Sequence, residues 1–169
     1  MGRTLDPRAQ IRATDNEIEG FLLALDKILR VAWSPIRKRF ENPKDIQARE
    51  ALAMMGSMYT VIGRAGLGER LADLRGAYAG ELKFVADHFS DLGFNGAFSG
   101  ADRELIEALI TYDLRKTTRN IEAYVDDARS VLIRSVMTGQ TPDFAVFDDF
   151  DSNVGNNLRT ELRTSLQGF

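Results

Sequence analysis

From Asp102 to Thr138 the chain contains neither proline nor glycine. Along that run Ile106, Ile110, Leu114, Thr117, Ile121, Tyr124, Ala128, Leu132 and Ser135 recur at steps of three and four. That spacing brings them to one face of an α-helix. A straight helix of this length spans roughly 55 Å at 1.5 Å per residue. A compact domain of 169 residues is expected to be narrower than that. Part of the helix is therefore expected to project or to pack on another subunit. Ser99 is the expected cap, with Asp102 and Glu104 near the positive end of the helix dipole.

The flanking sequence reads as further helices. Thr14 or Asp15 caps a first one, whose stripe is Ile18, Phe21, Leu22, Leu25, Ile28 and Leu29. Met1–Ala13 is expected to be a flexible arm, with Pro7 breaking any early helix. Trp33-Ser34-Pro35 is expected to end the first helix, because the residue before proline avoids helical dihedrals. A second helix is predicted over about 43–64, with Ile46, Leu52, Met55, Met58 or Tyr59, and Ile62 inward. A third is predicted over about 68–89, with Leu71, Leu74, Tyr78, Leu82, Val85 and Phe89 inward. Gly76 and Gly80 lie inside it, which predicts close approach of another helix backbone. SDLGFNGAFSG is a loop, and Gly139 stops the long helix. Residues 139–152 form an acidic connector before a final helix over about 153–169. Phe144–Phe147 is too short and isolated to build a sheet. The expected fold is all-α: a bundle over 14–138 of four main helices, one unusually long, plus the short C-terminal helix.

Composition bounds the chemistry. Hydrophobic residues make up 44% and charged residues 28%, ordinary values for a soluble domain. The net charge of -3 gives no global pull toward nucleic acid. No cysteine is present, which excludes disulfides, thiolate metal sites and cysteine nucleophiles. The first residues, MGRTLDPRAQIRATDNE, lack an apolar signal core, and no run is apolar enough to span a bilayer. The expectation is a protein made in the cytoplasm, with no membrane partner.

Four patterns invite a chemical reading. FDDFDSNVGNNLRTE approaches a calcium loop, with Asp149, Asp151 and Asn153 at alternate positions. Gly155 and Glu161 each come one residue late, and the extra residue turns the glutamate about 100° around its helix. An acidic loop capping the last helix through Asp151, Ser152 or Asn153 is preferred, and no metal or cofactor is expected. His88 is the only histidine, so neither a di-iron bundle nor a hydrolytic triad is supported. GRAGLGERLADLRG has its glycines in the wrong order for a dinucleotide fingerprint and reads as an interhelical turn. Arg37, Lys38 and Arg39 lie between Trp33 and Phe40, a cation–aromatic mixture that suits a nucleic acid or another anionic partner. Arg115, Lys116 and Arg119 are balanced by Glu122, Asp126 and Asp127 and read as an exposed mixed-charge face.

The order of parts from Leu71 onward carries a resemblance. LADLRGAYAGELKFVADHF is followed by a long helix ending DARSVLIRSVMTGQTPD, and the sequence closes with VGNNLRTELRTSLQGF. Val136-Met137-Thr138-Gly139 matches a V-x-x-G turn, and Arg159-Thr160-Glu161 with Arg163-Thr164 matches an arginine–threonine helix. These parts resemble the helical region of phage minor head proteins, the head-morphogenesis group associated with the portal. The spacer after Gly139 is more acidic than that pattern. The resemblance implies a non-enzymatic structural protein of the virion, made in the host cytoplasm. Its partners would be itself and other virion proteins, portal or capsid. Subunit contacts are expected from Ile121 on the long helix and from Leu158 and Leu162 on the last. Trp33, Phe40, Phe144, Phe147 and Phe150 are the expected aromatic anchors. The alternative is a cytoplasmic helical module that dimerises through the long helix and contacts an anionic partner through Arg37–Arg39.

Overall fold

Asp6 starts the first helix, accepting a hydrogen bond from the Arg8 amide at 3.0 Å. Pro7 follows at the first helical position, where its missing N–H costs nothing. In a computed structural model that describes residues 6–93 and 100–167, α1 then runs Pro7–Arg39. Both expected proline breaks are therefore corrected. Residues 6–13 are not a mobile arm, and Pro35 lies within the helix. Pro35 and Val31, whose carbonyl loses its donor, both lie on the exposed side of the helix.

A 3₁₀ turn at Pro43–Asp45 leads to α2 (Ala48–Arg64). Gly66, at φ 105°, turns the chain into α3 (Leu67–Asp91). The long helix α4 spans Gly100–Thr138 and ends at Gly139, whose φ is 68°. A single helical turn, α5 (Ala145–Asp148), a π-helical turn at Asp151–Gly155 and α6 (Asn156–Gln167) complete the order. The fold is all-α, with no strand among the described residues. Phe144–Phe147, weighed as a strand, lies on the approach to α5 and within it. The expected cap Ser99 lies outside the described residues.

Pairings between helices fix their directions. Arg39 meets Glu50, and Gln10 meets Glu81, so α2 and α3 run in succession against α1. Tyr59 meets Asp126, and Arg75 meets Glu107, so α4 returns against both. Arg159 meets Glu19 and Arg163 meets Asp15, so α6 runs against α1. Packing links α1 to α2, α3 and α6, and α4 to the same three. The result is an up-down-up-down bundle of four lanes. One lane is the α2–α3 pair broken at Gly66, and the lane between α1 and α4 holds α6. With α1 at 33 residues, the bundle is itself elongated, so α4 has company along most of its length.

The core follows the helical stripes. On α4 the buried residues are Ile110, Thr117, Ile121, Tyr124, Val125, Ala128, Leu132 and Ser135, close to the expected set. Ile106 and Leu114 are partly covered. On α2 the buried set is Ala51, Met55, Met58 and Ile62, and Leu52 is 64% exposed. The 51-55-58-62 spacing keeps a cleaner helical face than one through Leu52. On α3, Phe89 is exposed rather than inward, while Glu81 is buried. Gly76 and Gly80 have open space where a Cβ would stand, so they are not close-approach sites.

Candidate interaction surface

The residues expected to bind a neighbour are mostly inside this chain's own core. Trp33, Phe40, Ile121, Phe147, Phe150, Leu158 and Leu162 are all buried. The aromatic connector folds back on the bundle. Phe147 stands edge-on to Trp33 at 4.9 Å between ring centres, and Tyr124 closes the cluster at 6.1 Å. The Tyr124 hydroxyl donates to the Val146 carbonyl at 2.9 Å and pins the connector. Phe144 is half-buried beneath the Arg37 guanidinium, 4.9 Å from its ring centre. These side chains are consumed by folding, and this corrects their reading as free anchors.

The basic connector is likewise neutralised. Arg37 pairs with Asp148, and Arg39 pairs with Glu50 through both carboxylate oxygens at 2.6 and 3.0 Å. The Arg39 hydrogen bonds hold the Glu50 carboxyl below its ordinary range. Among the described residues, Lys38 alone of the three cations has no carboxylate partner. Arg115 and Arg119 line a shallow surface groove of about 370 Å³ with Arg75, Thr111 and Glu122. Asp126 is occupied elsewhere, by Arg129 and the Tyr59 hydroxyl.

The acidic stretch is tied into local hydrogen bonds and ion pairs. Asp149 accepts from the Ser152 amide at 3.1 Å and so caps the turn, two residues before the earliest expected cap. That bonding pulls its pKa down. Asp151 pairs with Arg159 at 3.3 Å, and Asn153 donates to the carbonyl of Asp149 at 2.6 Å. Glu161 faces α4 and accepts from Asn120. Among the described residues no three His, Cys, Asp or Glu side chains are placed to hold a metal. Gly155, one residue late for a calcium loop, has a packing role. A Cβ there would stand 2.6 Å from Asp151 Oδ1 and 2.9 Å from the Phe150 ring.

A polar cluster missed by the sequence reading sits between α3, α4 and α6. Tyr78 Oη, Thr117 Oγ1 and Glu161 Oε1 are buried without a well-formed hydrogen bond, although Ser165 lies beside Tyr78 and Thr117 beside Glu161. Burial first, and Asp113 second among the raising influences, push the Glu161 pKa up against the pull of Lys116. Burial also pushes up the Tyr78 phenol. Glu81, buried beside α1, accepts from Gln10 at 3.0 Å, and burial raises its pKa. His88 sits in the last turn of α3, stacked on Phe84 with planes 3° apart.

The free apolar surface lies elsewhere, on the first third of α4. Leu105 is 62% exposed, Leu109 42% and Tyr112 64%. Leu109 precedes Asn120 by eleven residues, three helical turns, and therefore faces the same way. Asn120 bonds Glu161 of α6, so Leu109 faces the α6 lane. Leu105 stands in the same relation to Lys116, which lies near Glu161. The last described residues of α6 reach α1, where Gln167 meets Asp15 and Leu166 lies near Thr14. There a groove of about 480 Å³ opens between α1 and α3, lined by Ile11, Thr14, Phe84, Val85 and Leu166. No described helix is long and apolar enough to cross a membrane. No protein-family model, curated protein or solved structure matches the chain.

Proposed function

We propose that this chain is a non-enzymatic structural protein that works through helix-mediated contacts, with a phage virion as its setting. The single observation that carries the assembly reading is the apolar first third of α4, held in water by a rigid bundle. The virion setting rests on the resemblance to minor head proteins, and two matched motifs have clear physical roles. Gly139 terminates the long helix in the left-handed conformation. Arg159 and Arg163 clamp the last helix to Glu19 and Asp15 of α1. The proposed position is the head, neck or portal region, with portal or capsid proteins as partners.

The alternative, an anionic partner on Arg37–Arg39, is disfavoured by the Asp148 and Glu50 carboxylates already paired there. The test is the DNA on both sides of the gene. A terminase or portal-like gene upstream and a capsid-like gene downstream are the expected neighbours. Metabolic or regulatory neighbours would remove the virion setting.

A further inference from the structure

We propose that the groove between α1 and α3 binds a small organic cation with an apolar body, and that the Glu81 carboxylate is its counter-ion. The inference goes beyond the structural role and does not depend on the virion setting.

Glu81 occupies a core position. Leu74, Ala77, Tyr78 and Glu81 follow one another at steps of three and four, and all are buried, Glu81 to 7% exposure. An apolar side chain there would continue the stripe. A carboxylate costs stability instead, because leaving water disfavours its charge. The protein offsets little of that cost. Oε1 accepts one hydrogen bond, from Gln10 Nε2 at 3.0 Å. No described lysine or arginine pairs with Glu81, and the charge that acts on it is that of Glu17 on α1, of the same sign.

This carboxylate lines the groove of about 480 Å³, a volume within the range of small-molecule sites. Ile11, Phe84, Val85 and Leu166 make apolar walls. The other polar side chains have their donors committed within the protein. The Thr14 hydroxyl donates to the Gln10 carbonyl at 3.1 Å, Gln10 Nε2 donates to Glu81, and Gln167 Nε2 donates to Asp15 at 3.1 Å. What remains is chiefly acceptor oxygen. No lysine or arginine is among the described lining residues. His88, the one basic side chain there, stacks on Phe84 and lies two helical turns along α3 from Glu81. The complementary ligand brings hydrogen-bond donors, positive charge and apolar surface. An ammonium group has three donors and no acceptor. An anion would be repelled by Glu81 and Glu17, and a neutral ligand would leave the buried carboxylate without a counter-charge.

Titration of the ¹⁵N-labelled full chain at neutral pH, followed by amide chemical shifts, is the test. The probes are 2-phenylethylammonium and its neutral counterpart 2-phenylethanol. Shifts are expected at residues 10–14 and 81–85, on the two sides of the groove. The ammonium is expected to bind about ten-fold more tightly than the alcohol, or better, the difference a hydrogen bond to a charged group makes. Glu81→Gln keeps the shape and the Gln10 contact, and is expected to bind the two probes equally. Ile11→Ala, at a side chain 49% exposed, is expected to weaken both probes alike while leaving the melting curve unchanged. Groove shifts absent with the ammonium, equal binding of the two probes by the wild type, or a preference that survives Glu81→Gln overturns the site. The wild-type comparison decides the matter even if a variant fails to fold.

Discussion

Replacing Glu161 with Gln should stabilise the protein at neutral pH and not at acid pH. The carboxylate is half-buried between α6 and α4, with Oε2 bonded by Asn120 and Oε1 buried beside Thr117 without a well-formed hydrogen bond. An unpaired buried acceptor costs about 1–3 kcal/mol, and more when charged. The nearby Lys116 offsets part of this, leaving a net cost of about 1 kcal/mol at pH 7. Glutamine removes the charge, keeps the shape and can donate an N–H to the neighbouring Thr117 hydroxyl. For a chain of this size each kcal/mol moves Tm by about 2–4 °C. A rise of about 2–4 °C at pH 7 is therefore expected, read by thermal melting followed by circular dichroism.

The pH dependence follows from the direction of the shift. A carboxyl whose pKa is raised by folding binds its proton more tightly in the folded state. Its contribution favours folding at low pH and is lost as pH rises from the ordinary glutamate range through the higher folded value. The gap between wild type and Glu161→Gln should therefore close by about pH 4. A lowered Tm for the variant at pH 7 would refute the reasoning, since the ionised carboxylate would then be stabilising through Lys116 and Asn120.

Three further substitutions probe the packing. Leu162→Ala should cost about 3 kcal/mol and lower Tm by about 6–12 °C, because Leu162 is fully buried where α6 seats in the bundle; urea midpoints measure it. Gly155→Ala should cost about 1–3 kcal/mol, since the added Cβ meets the buried Phe150 ring at 2.9 Å; an unchanged denaturation midpoint would show that the turn yields. Ile121→Asp should abolish cooperative unfolding, because it places an unpaired carboxylate at a position 2% exposed; an unchanged melting curve would contradict the burial of that face.

The long helix was legible because no glycine or proline interrupts it and its inward positions repeat without a fault. Its stripe from Ile110 to Ser135 is buried except for the partly covered Leu114, and Val125 joins it. Helix ends were harder. Pro7 resembles a breaker in isolation but sits after Asp6, where it starts a helix. Pro35 was misjudged because local sequence does not show that it lies on the exposed side of the helix. The connector aromatics were misplaced for a different reason. Phe147 and Phe150 read as surface anchors, but both are buried, and Phe147 packs on Trp33, far away in sequence. The apolar face of Leu105, Leu109 and Tyr112 was also out of reach. Its exposure depends on which helices pack beside it, a tertiary fact that spacing along α4 does not encode. The Tyr78–Thr117–Glu161 cluster joins three helices and had no local signal.

Mass spectrometry of density-purified particles, from cells induced to release them, tests the central claim most directly. The account predicts this chain in the particle fraction at a fixed ratio to the portal and capsid proteins. Particles complete in those proteins but lacking this chain, with all of it in the soluble fraction, would contradict the assignment of a structural role in the virion.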